Sequence, residues 1–424
     1  MSRGAGRQVQ RHLHGLGTLV LTLSFIGLSS VQECQAQTPL IQSGSFTLRA
    51  TGYIRSLTGV HDTRYDLPTG NRRSGFHADV ARVKWRAGWG ERFVLEIHNR
   101  AQVQVSSSES GFGSSVAGFG VSAAPGHLVD LESVWIQQER LRAWHDVDRL
   151  ALTFYTPATD VTVGRQAITW GTSLIFPVAD LWSQFSPFEL DTEEKPGVDA
   201  IRMLAYPLPG LELDAVVADR GGQDDVSAGV RATWSLSSAD LYGAAGRLWE
   251  EAMVVGGVAW LLESWKLRAE AVLPRDLDLH RWLDPRATIG VDRLGYRLTL
   301  SGEYHFNGLG ANGPNGYLSL LGSESFNRGE SYFLGRHYLG GLASWATDEE
   351  QRIRLLGSVL VNLSDGSVAL LPALTWDVGA STSLALGGLV GIGDRPVFQG
   401  ELPVLGSEYG TYGDLGHVQV SVYF

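Results

Sequence analysis

Residues 92–105, RFVLEIHNRAQVQV, carry apolar side chains at alternate positions. Phe93 and Leu95 begin one face of this stretch, whereas Glu96 and His98 begin the other. Successive side chains of a β-strand point in opposite directions, so a period of two predicts a strand with one apolar and one polar face. The same alternation recurs along the chain, at residues 46–55, 265–271, 296–306 and 352–361. The sequence therefore predicts an all-β protein.

A soluble sandwich also shows this alternation, with its apolar face turned inward. Stretches such as residues 92–105 are, however, longer than the usual soluble strand of about five or six residues and suit a tilted membrane strand. Tryptophan and tyrosine recur near the strand ends, where a membrane barrel places its aromatic girdles. In lipid a sheet must close, because an open edge leaves backbone groups without hydrogen bonds. We therefore expect a transmembrane antiparallel β-barrel of about 16–18 strands, an even number being usual in bacteria.

The printed sequence ends on an alternating strand, HVQVSVYF, whose final residue is Phe424. Soluble domains usually end in a polar, frayed segment. We expect this last strand to close the barrel by pairing with the first strand, near residues 46–54. Its terminal aromatic residue resembles the assembly signal of Gram-negative outer-membrane proteins, which implies the barrel-assembly machinery as a partner.

Residues 1–36 have the features of a cleaved signal peptide. A positively charged start precedes an apolar stretch, residues 16–28, that is too short to span a bilayer as a helix. Small residues place the cleavage near Ala36, so that residues 37–424 form a single barrel domain. Lipidation of Cys34 is a weaker alternative, because the residues before it are not small. This signal predicts export through the inner membrane to the bacterial outer membrane.

Composition and motifs exclude several other classes of protein. The net charge is −11 and no basic run is present, which argues against nucleic acid as a partner. No stretch after the signal has about 18 uninterrupted apolar residues, so no transmembrane helix is expected. GLGANG, residues 308–313, matches a dinucleotide fingerprint, but Pro314 follows where a helix should begin, so we interpret it as a loop. Four histidines lack metal-ligand spacing: His77, His98, His305 and His417. No catalytic residue, metal or cofactor is predicted.

Between residues 161 and 204 the strand pattern breaks. Gly171, Pro177, Pro187 and Pro196 would interrupt any strand ladder, although the segment is apolar and aromatic. Such irregular backbone at membrane depth is tolerated only inside the barrel. We therefore expect residues 171–196 to form a loop that folds into the lumen and narrows it.

This segment resembles a motif of porin-like outer-membrane barrels of Gram-negative bacteria, a large and mostly uncharacterised family. Its elements are GRQ, AITWG, DLW, SP and KPGVD, which stand here at residues 164–166, 167–171, 180–182, 186–187 and 195–199. The resemblance is specific over about 45 residues of the motif and generic elsewhere. It implies an outer-membrane barrel and a diffusion channel, and it names no substrate.

The infolded loop is acidic, and the polar strand faces are basic. Four acids lie close together on the loop: Glu189, Asp191, Glu193 and Glu194. The facing strands carry many basic residues, among them Arg82, Lys84, Arg86 and Arg100. We expect these charges to form a pore constriction whose transverse field orients solutes and filters ions. The alternative is that they pair with one another and merely anchor the loop. Three further residues are predicted loop anchors: Arg165, Asp180 and Lys195. Arg165 is expected to bind the loop acids.

Three functions remain open at this stage. The first is a porin-like channel that passes small hydrophilic solutes or ions. The second is a plugged structural, adhesive or partner-binding barrel. The third is an outer-membrane lipid-modifying enzyme, which would need a Ser-His pair at the lipid-facing rim; the strand histidines His98 and His305 instead face the polar side. In each case outer-membrane lipids and lipopolysaccharide are expected partners, and the oligomeric state is left open.

Overall fold

The computed structural model describes residues 39–68, 71–107, 127–183, 193–219, 226–400 and 402–424. The predicted signal peptide therefore lies outside the described residues, and so does its predicted cleavage near Ala36. Within the described part of the chain, no helix is long and apolar enough to cross a membrane.

In the described residues, eighteen antiparallel strands form one closed barrel, in agreement with the upper end of the predicted range. The same sheet includes three further short strands: Ile41–Ser43, Glu132–Gln138 and Arg281–Trp282. Each of the eighteen strands pairs with its neighbours in chain order. The strands are β1 Phe46–Asp62, β2 Arg73–Trp89, β3 Phe93–Ser106, β4 Leu141–Tyr155, β5 Thr159–Gln166, β6 Val198–Leu208, β7 Leu211–Asp219, β8 Val226–Ser235, β9 Ala239–Leu248, β10 Glu251–Leu262, β11 Trp265–Asp276, β12 Arg286–Arg293, β13 Leu298–Asn307, β14 His337–Ala346, β15 Ile353–Asn362, β16 Val368–Asp377, β17 Thr382–Ile392 and β18 Asp414–Tyr423.

The barrel closes between its last and first strands, as the terminal alternation predicts. β18 pairs antiparallel with β1, and the amide and carbonyl of Gly52 exchange hydrogen bonds with Phe424 at 2.8 and 2.9 Å. The expected register is wrong, because β18 lies along Tyr53–Asp62 instead of residues 46–54. Tilted strands stagger around a barrel, so the two ends of a closing pair are not level. The lower part of β1 instead pairs with a short strand, Ile41–Ser43.

The two faces of the strands differ in burial as the alternation requires. Ile54 is 46% exposed on the outer face, whereas its neighbour Tyr53 is 1% exposed on the inner face. Trp85 likewise faces outward beside the inward-facing Arg82 and Lys84. The apolar outer face suits contact with lipid, and the polar inner face lines the lumen.

The two ends of the barrel have different connections. At one end, where β18 finishes, strands are joined by turns such as residues 209–210 and 263–264. At the other end the connections include residues 308–336 and 393–413, which contain the short helices Pro314–Gly316, Tyr317–Leu321, Glu324–Asn327 and Glu408–Tyr412. Short periplasmic turns and longer extracellular loops are the usual orientation of such barrels. We refer to the end with the long loops as the outer end.

Candidate functional site

The segment that connects β5 to β6, residues 167–197, is called the infolded segment here after its predicted course. It has no helix or strand in its described residues, 167–183 and 193–197. Gly164 lies on β5, two residues before that strand ends and the segment begins. The φ angle of Gly164 is +115°, and a Cβ there would lie 2.1 Å from the carbonyl oxygen of Leu150. Only glycine adopts this backbone conformation readily, so the GRQ element has a structural reason for its first residue.

Arg165 is buried, but its partners differ from those expected. Its guanidinium donates to Asp199 at 2.8 Å and to the carbonyl oxygen of Val147 at 3.0 Å, and it also reaches the carbonyl oxygen of Val129. The carboxylate that Arg165 binds is thus the last residue of the KPGVD element, not a described acid of the loop. The cause is the register of β5 on β6, which places Arg165 directly opposite Asp199. Arg165 and Asp199 therefore hold together the ends of β5 and β6 that the infolded segment connects.

Asp180 and Lys195 form a buried ion pair that holds together the two limbs of the segment. The ammonium group of Lys195 also donates to the carbonyl oxygen of Ile168 at 2.8 Å and to the hydroxyl of Thr169 at 2.9 Å. Asp180 accepts a longer bond, 3.4 Å, from the amide of Trp170. A buried ion pair whose other donors and acceptors are also hydrogen-bonded favours one relative position of its two groups. These contacts link residues 168–170 and 180 to residue 195 of the same segment.

An apolar cluster covers the infolded segment on the side of β6–β11. Trp170 and Trp182 meet edge to face, with ring centroids 5.2 Å apart, and both are 1% exposed. The indole nitrogen of Trp170 donates to Asp214 at 2.8 Å. Wall side chains complete the cluster: Val198, Ala200, Val216, Ala218, Tyr242, Ala244, Leu248, Met253, Val255 and Val272. Burial of these rings explains why an irregular segment can be so apolar.

Two wall carboxylates hold the middle of the segment through its backbone. Glu303 on β13 accepts hydrogen bonds of 2.8, 3.1 and 2.9 Å from the amides of residues 174–176. Glu270 on β11 accepts from the amides of Thr172, Ser173 and Ala179 at 2.7 to 3.2 Å. Successive amides that converge on an anion form a nest, which satisfies donors that no strand partner satisfies.

The tip of the segment reaches a different part of the wall. Glu193 pairs with Arg55 on β1, and Glu194 pairs with Lys84 on β2. The hydroxyl of Tyr423 also donates to Glu193, at 3.2 Å. The predicted loop acids and wall bases therefore meet at these two positions. Glu189 and Asp191 lie outside the described residues.

The remaining predicted constriction residues, Arg82, Arg86 and Arg100, each pair with a carboxylate on another strand, either β3 or β4. Arg82 binds Asp148, Arg100 binds Asp146 through two hydrogen bonds of 2.8 and 2.9 Å, and Arg86 binds Glu96 at 2.7 Å. No motif in the sequence marks Asp146, Asp148 or Glu96 as a partner of these arginines. Tyr53 lies among Arg55, Arg82 and Lys84, at 4.7, 5.9 and 5.6 Å from its ring centroid. Guanidinium and ammonium groups bind aromatic faces at such distances.

Two of the strand histidines, His305 and His77, have polar or stacking partners. His305 is buried and stacks on Phe176 at 5.0 Å, with a hydroxyl contact from Thr288 at 3.2 Å. His77 contacts Asp79 at 3.0 Å. Among the described residues, no group of three or more histidine, cysteine, aspartate or glutamate side chains is placed to hold a metal ion.

A buried carboxylate joins the outer loops to the barrel. Glu408, in the loop between β17 and β18, is fully buried and accepts hydrogen bonds from the hydroxyl of Tyr338, from Asn362 at 2.7 Å and from the amide of Leu334 at 3.1 Å. Asp365 also lies close to Glu408, because its carboxylate accepts a 2.8 Å hydrogen bond from the backbone amide of Glu408. The sequence gives no periodic signal for this network, because most of its members lie in loops.

We expect the packing of this loop to weaken as the pH rises. Burial raises the pKa of Glu408 to about 7, and the nearby Asp365 adds to this. An exposed glutamate titrates near 4.3. The packed loop therefore holds an extra proton between these values, so its stability is greatest below pH 4 and is lost as the pH rises toward 7, by on the order of 3 kcal/mol.

Hydrogen exchange of residues 408–412, corrected for intrinsic rates, measures this opening. The protection of the wild-type amides should fall over this pH window, whereas the variant Glu408→Gln should show no such slope. Tyr317, Tyr338, Asn362 and Asp365 surround the carboxyl and are unchanged in the variant. A slope that persists in Glu408→Gln would assign the effect to another group.

No protein-family model matches this chain, and no curated protein sequence matches it. Several solved structures share its fold. OccAB2 of Acinetobacter baumannii has a TM-score of 0.59 at 9% identity, covering 90% of this chain and 99% of that one. OccAB3 of the same organism has a TM-score of 0.54 at 11% identity, with coverage of 89% and 99%. The outer membrane protein opdK of Pseudomonas aeruginosa has a TM-score of 0.52 at 11% identity, with coverage of 89% and 98%.

At these identities the similarity concerns the fold. The class that this fold defines is the closed, 18-stranded antiparallel β-barrel. Within that class the chain has the porin-like architecture of the Occ and OprD barrels.

Proposed function

We propose that this protein is an outer-membrane channel through which small hydrophilic solutes or ions diffuse past a charged constriction. The observation that carries the proposal is the course of the infolded segment. It is bound to Glu303 on β13 at one point and to Arg55 and Lys84 on β1 and β2 at another. A solute in the lumen would then pass beside the ion pairs that Glu193 and Glu194 form with the basic wall, where charges act in a confined, partly desolvated space.

The geometry also supports the predicted roles of individual residues. Glu193 and Glu194 would stand at the constriction with Lys84 and Arg82, and Arg100 and Arg86 would line its approach. Glu189 and Asp191 belong to the same proposal on sequence grounds. Arg165, Asp180 and Lys195 would hold the loop in place, and Phe424 would act as the assembly signal.

One observation favours the second candidate, a plugged barrel. Phe176 of the infolded segment, Phe333, Tyr409 and Tyr412 of the outer loops and Tyr338 of β14 form one buried cluster near the outer end. Such a cluster narrows any passage on that side. The two candidates differ in whether water and ions cross the remaining lumen.

Planar-bilayer recording of the purified, folded protein distinguishes them. We expect steady open-channel currents that scale with salt concentration. A heat-denatured sample of the same preparation, which should give no current, controls for detergent leakage. Repeated insertion of folded protein without current would favour the plugged barrel. A deacylase assay on the same sample tests the enzyme alternative.

A further inference from the structure

The lipid-facing side of β6–β9 carries a groove of about 420 Å³. Small side chains lie between larger ones there: Ala215, Ala228 and Ala245 alternate with Val217 and Val230 in adjacent register positions. Ile201 and Met203 on β6 border the groove, and both are well exposed. A concave apolar strip on a surface that contacts lipid fits an extended hydrocarbon chain.

The chemistry of the outer face changes at one edge of this groove, where Arg247 lies opposite Ala228. Ala245, Val254 and Leu273 occupy one row across β9–β11. Two residues farther toward the outer end, the corresponding row contains Arg247, Ala252, Arg275 and Trp282. The apolar wall thus gives way to two guanidinium groups and an indole within one step of the strand period. This is the position at which acyl chains meet headgroups in the outer leaflet.

Both arginines are available for an anion. Arg247 is exposed and donates its Nε to the carbonyl oxygen of Trp249 at 2.9 Å, while Arg275 lies 5.8 Å from the ring centroid of Trp282. Within the described ranges neither has a carboxylate partner, in contrast to Arg82, Arg100 and Arg165. Guanidinium groups bind phosphate through paired hydrogen bonds and do so with geometric selectivity.

We propose that β6–β11 form a binding site for one molecule of a phosphorylated outer-leaflet glycolipid of the lipopolysaccharide class. An acyl chain occupies the groove, and phosphate groups bind Arg247 and Arg275. These residues are two strands apart, which is about 10 Å, so an extended headgroup with two phosphates spans them better than a single phosphodiester does. Trp282 is 61% exposed beside them and offers a face on which a sugar ring can stack.

Native mass spectrometry of the intact, detergent-solubilised barrel tests this site, with bis-phosphorylated lipid A as the probe. We expect one bound lipid A per barrel and weaker binding of phosphatidylglycerol. The double variant Arg247→Gln/Arg275→Gln should lose affinity for lipid A by about tenfold or more, since charged hydrogen bonds are lost. Arg293→Gln is the matched control, because Arg293 lies over Trp265 at 5.3 Å near the opposite end of the barrel.

A second variant tests the groove separately. Ala215→Phe fills the groove and leaves both arginines without a changed register partner, since Ala215 lies opposite Met203 and Val230. It should therefore also weaken lipid A binding, while a heat-modifiability assay confirms that the barrel is folded. Three results would each overturn the proposal: lipid A binds the double variant and the wild type equally, Arg293→Gln loses as much affinity as the double variant, or phosphatidylglycerol binds the wild type as tightly as lipid A. None of these results depends on whether the lumen conducts.

Discussion

Replacing Glu303 by alanine is expected to release the infolded segment from the wall and to lower the free energy of unfolding by about 3–5 kcal/mol. The side chain of Glu303 is fully buried, accepts hydrogen bonds from the amides of residues 174–176 and pairs with Arg268 at 2.9 Å. Alanine leaves three amides without their acceptor. It also leaves the buried Arg268 with Asp292 as its remaining carboxylate partner. Each loss is costly because water cannot replace the missing group.

Denaturant unfolding in lipid vesicles measures this loss, and limited chymotrypsin digestion reports whether the segment is released, since the bonds after Trp170 and Trp182, both buried in the wild type, would become accessible. Glu96→Ala is the matched control. It removes an exposed ion pair with Arg86 and should change stability by less than about 1 kcal/mol. If Glu303→Ala left both stability and cleavage at the wild-type level, the wall carboxylates would not be what holds the segment.

Neutralising Glu193 and Glu194 together should make the channel more selective for anions. The variant Glu193→Gln/Glu194→Gln leaves Arg55 and Lys84 without the carboxylates that face them. Their positive potential then extends into the passage, where neighbouring low-dielectric walls strengthen it. We expect the chloride-to-potassium permeability ratio to rise roughly threefold or more, with a larger change when Glu189 and Asp191 are also neutralised.

The reversal potential in a salt gradient gives this ratio. Glu349→Gln/Glu350→Gln is a suitable control, because it also neutralises two adjacent acids but in the turn between β14 and β15, at the end opposite the long loops. That variant should keep the wild-type reversal potential. If the wild type, Glu193→Gln/Glu194→Gln and the control variant all had the same reversal potential, the proposed constriction would be wrong. The barrel fold would not be affected by that result.

The sequence was sufficient to predict the barrel because strand alternation is a local property. The stretch RFVLEIHNRAQVQV becomes β3 with Phe93 outward, and the final alternating residues become β18. Glu270 and Glu303 lie on the polar faces of two further alternating stretches, residues 265–271 and 296–306. The alternation did not predict what they bind, because their partners are backbone amides of an irregular segment, and an amide carries no residue-type signature.

Interactions that depend on strand register could not be predicted from the sequence either. Arg165 binds Asp199 because of how β5 and β6 align, and β18 meets the upper half of β1 because the strands are staggered. Neither follows from composition or periodicity. Similarly, Glu408 acquires its partners only when the loops between β13 and β14 and between β15 and β16 pack around it. Long-range contacts of this kind require the fold before they can be assigned.

Thiol labelling at two neighbouring positions tests the central claim most directly, that water fills the polar side of these strands and lipid touches the other. Cys34, the one native cysteine, lies in the predicted signal peptide. Lys84→Cys and Trp85→Cys therefore give barrels that differ only in which face carries the thiol. A charged, water-soluble methanethiosulfonate reagent should reduce the bilayer current of Lys84→Cys in discrete steps and leave that of Trp85→Cys unchanged. Equal block of both variants, or block of Trp85→Cys alone, would contradict the account.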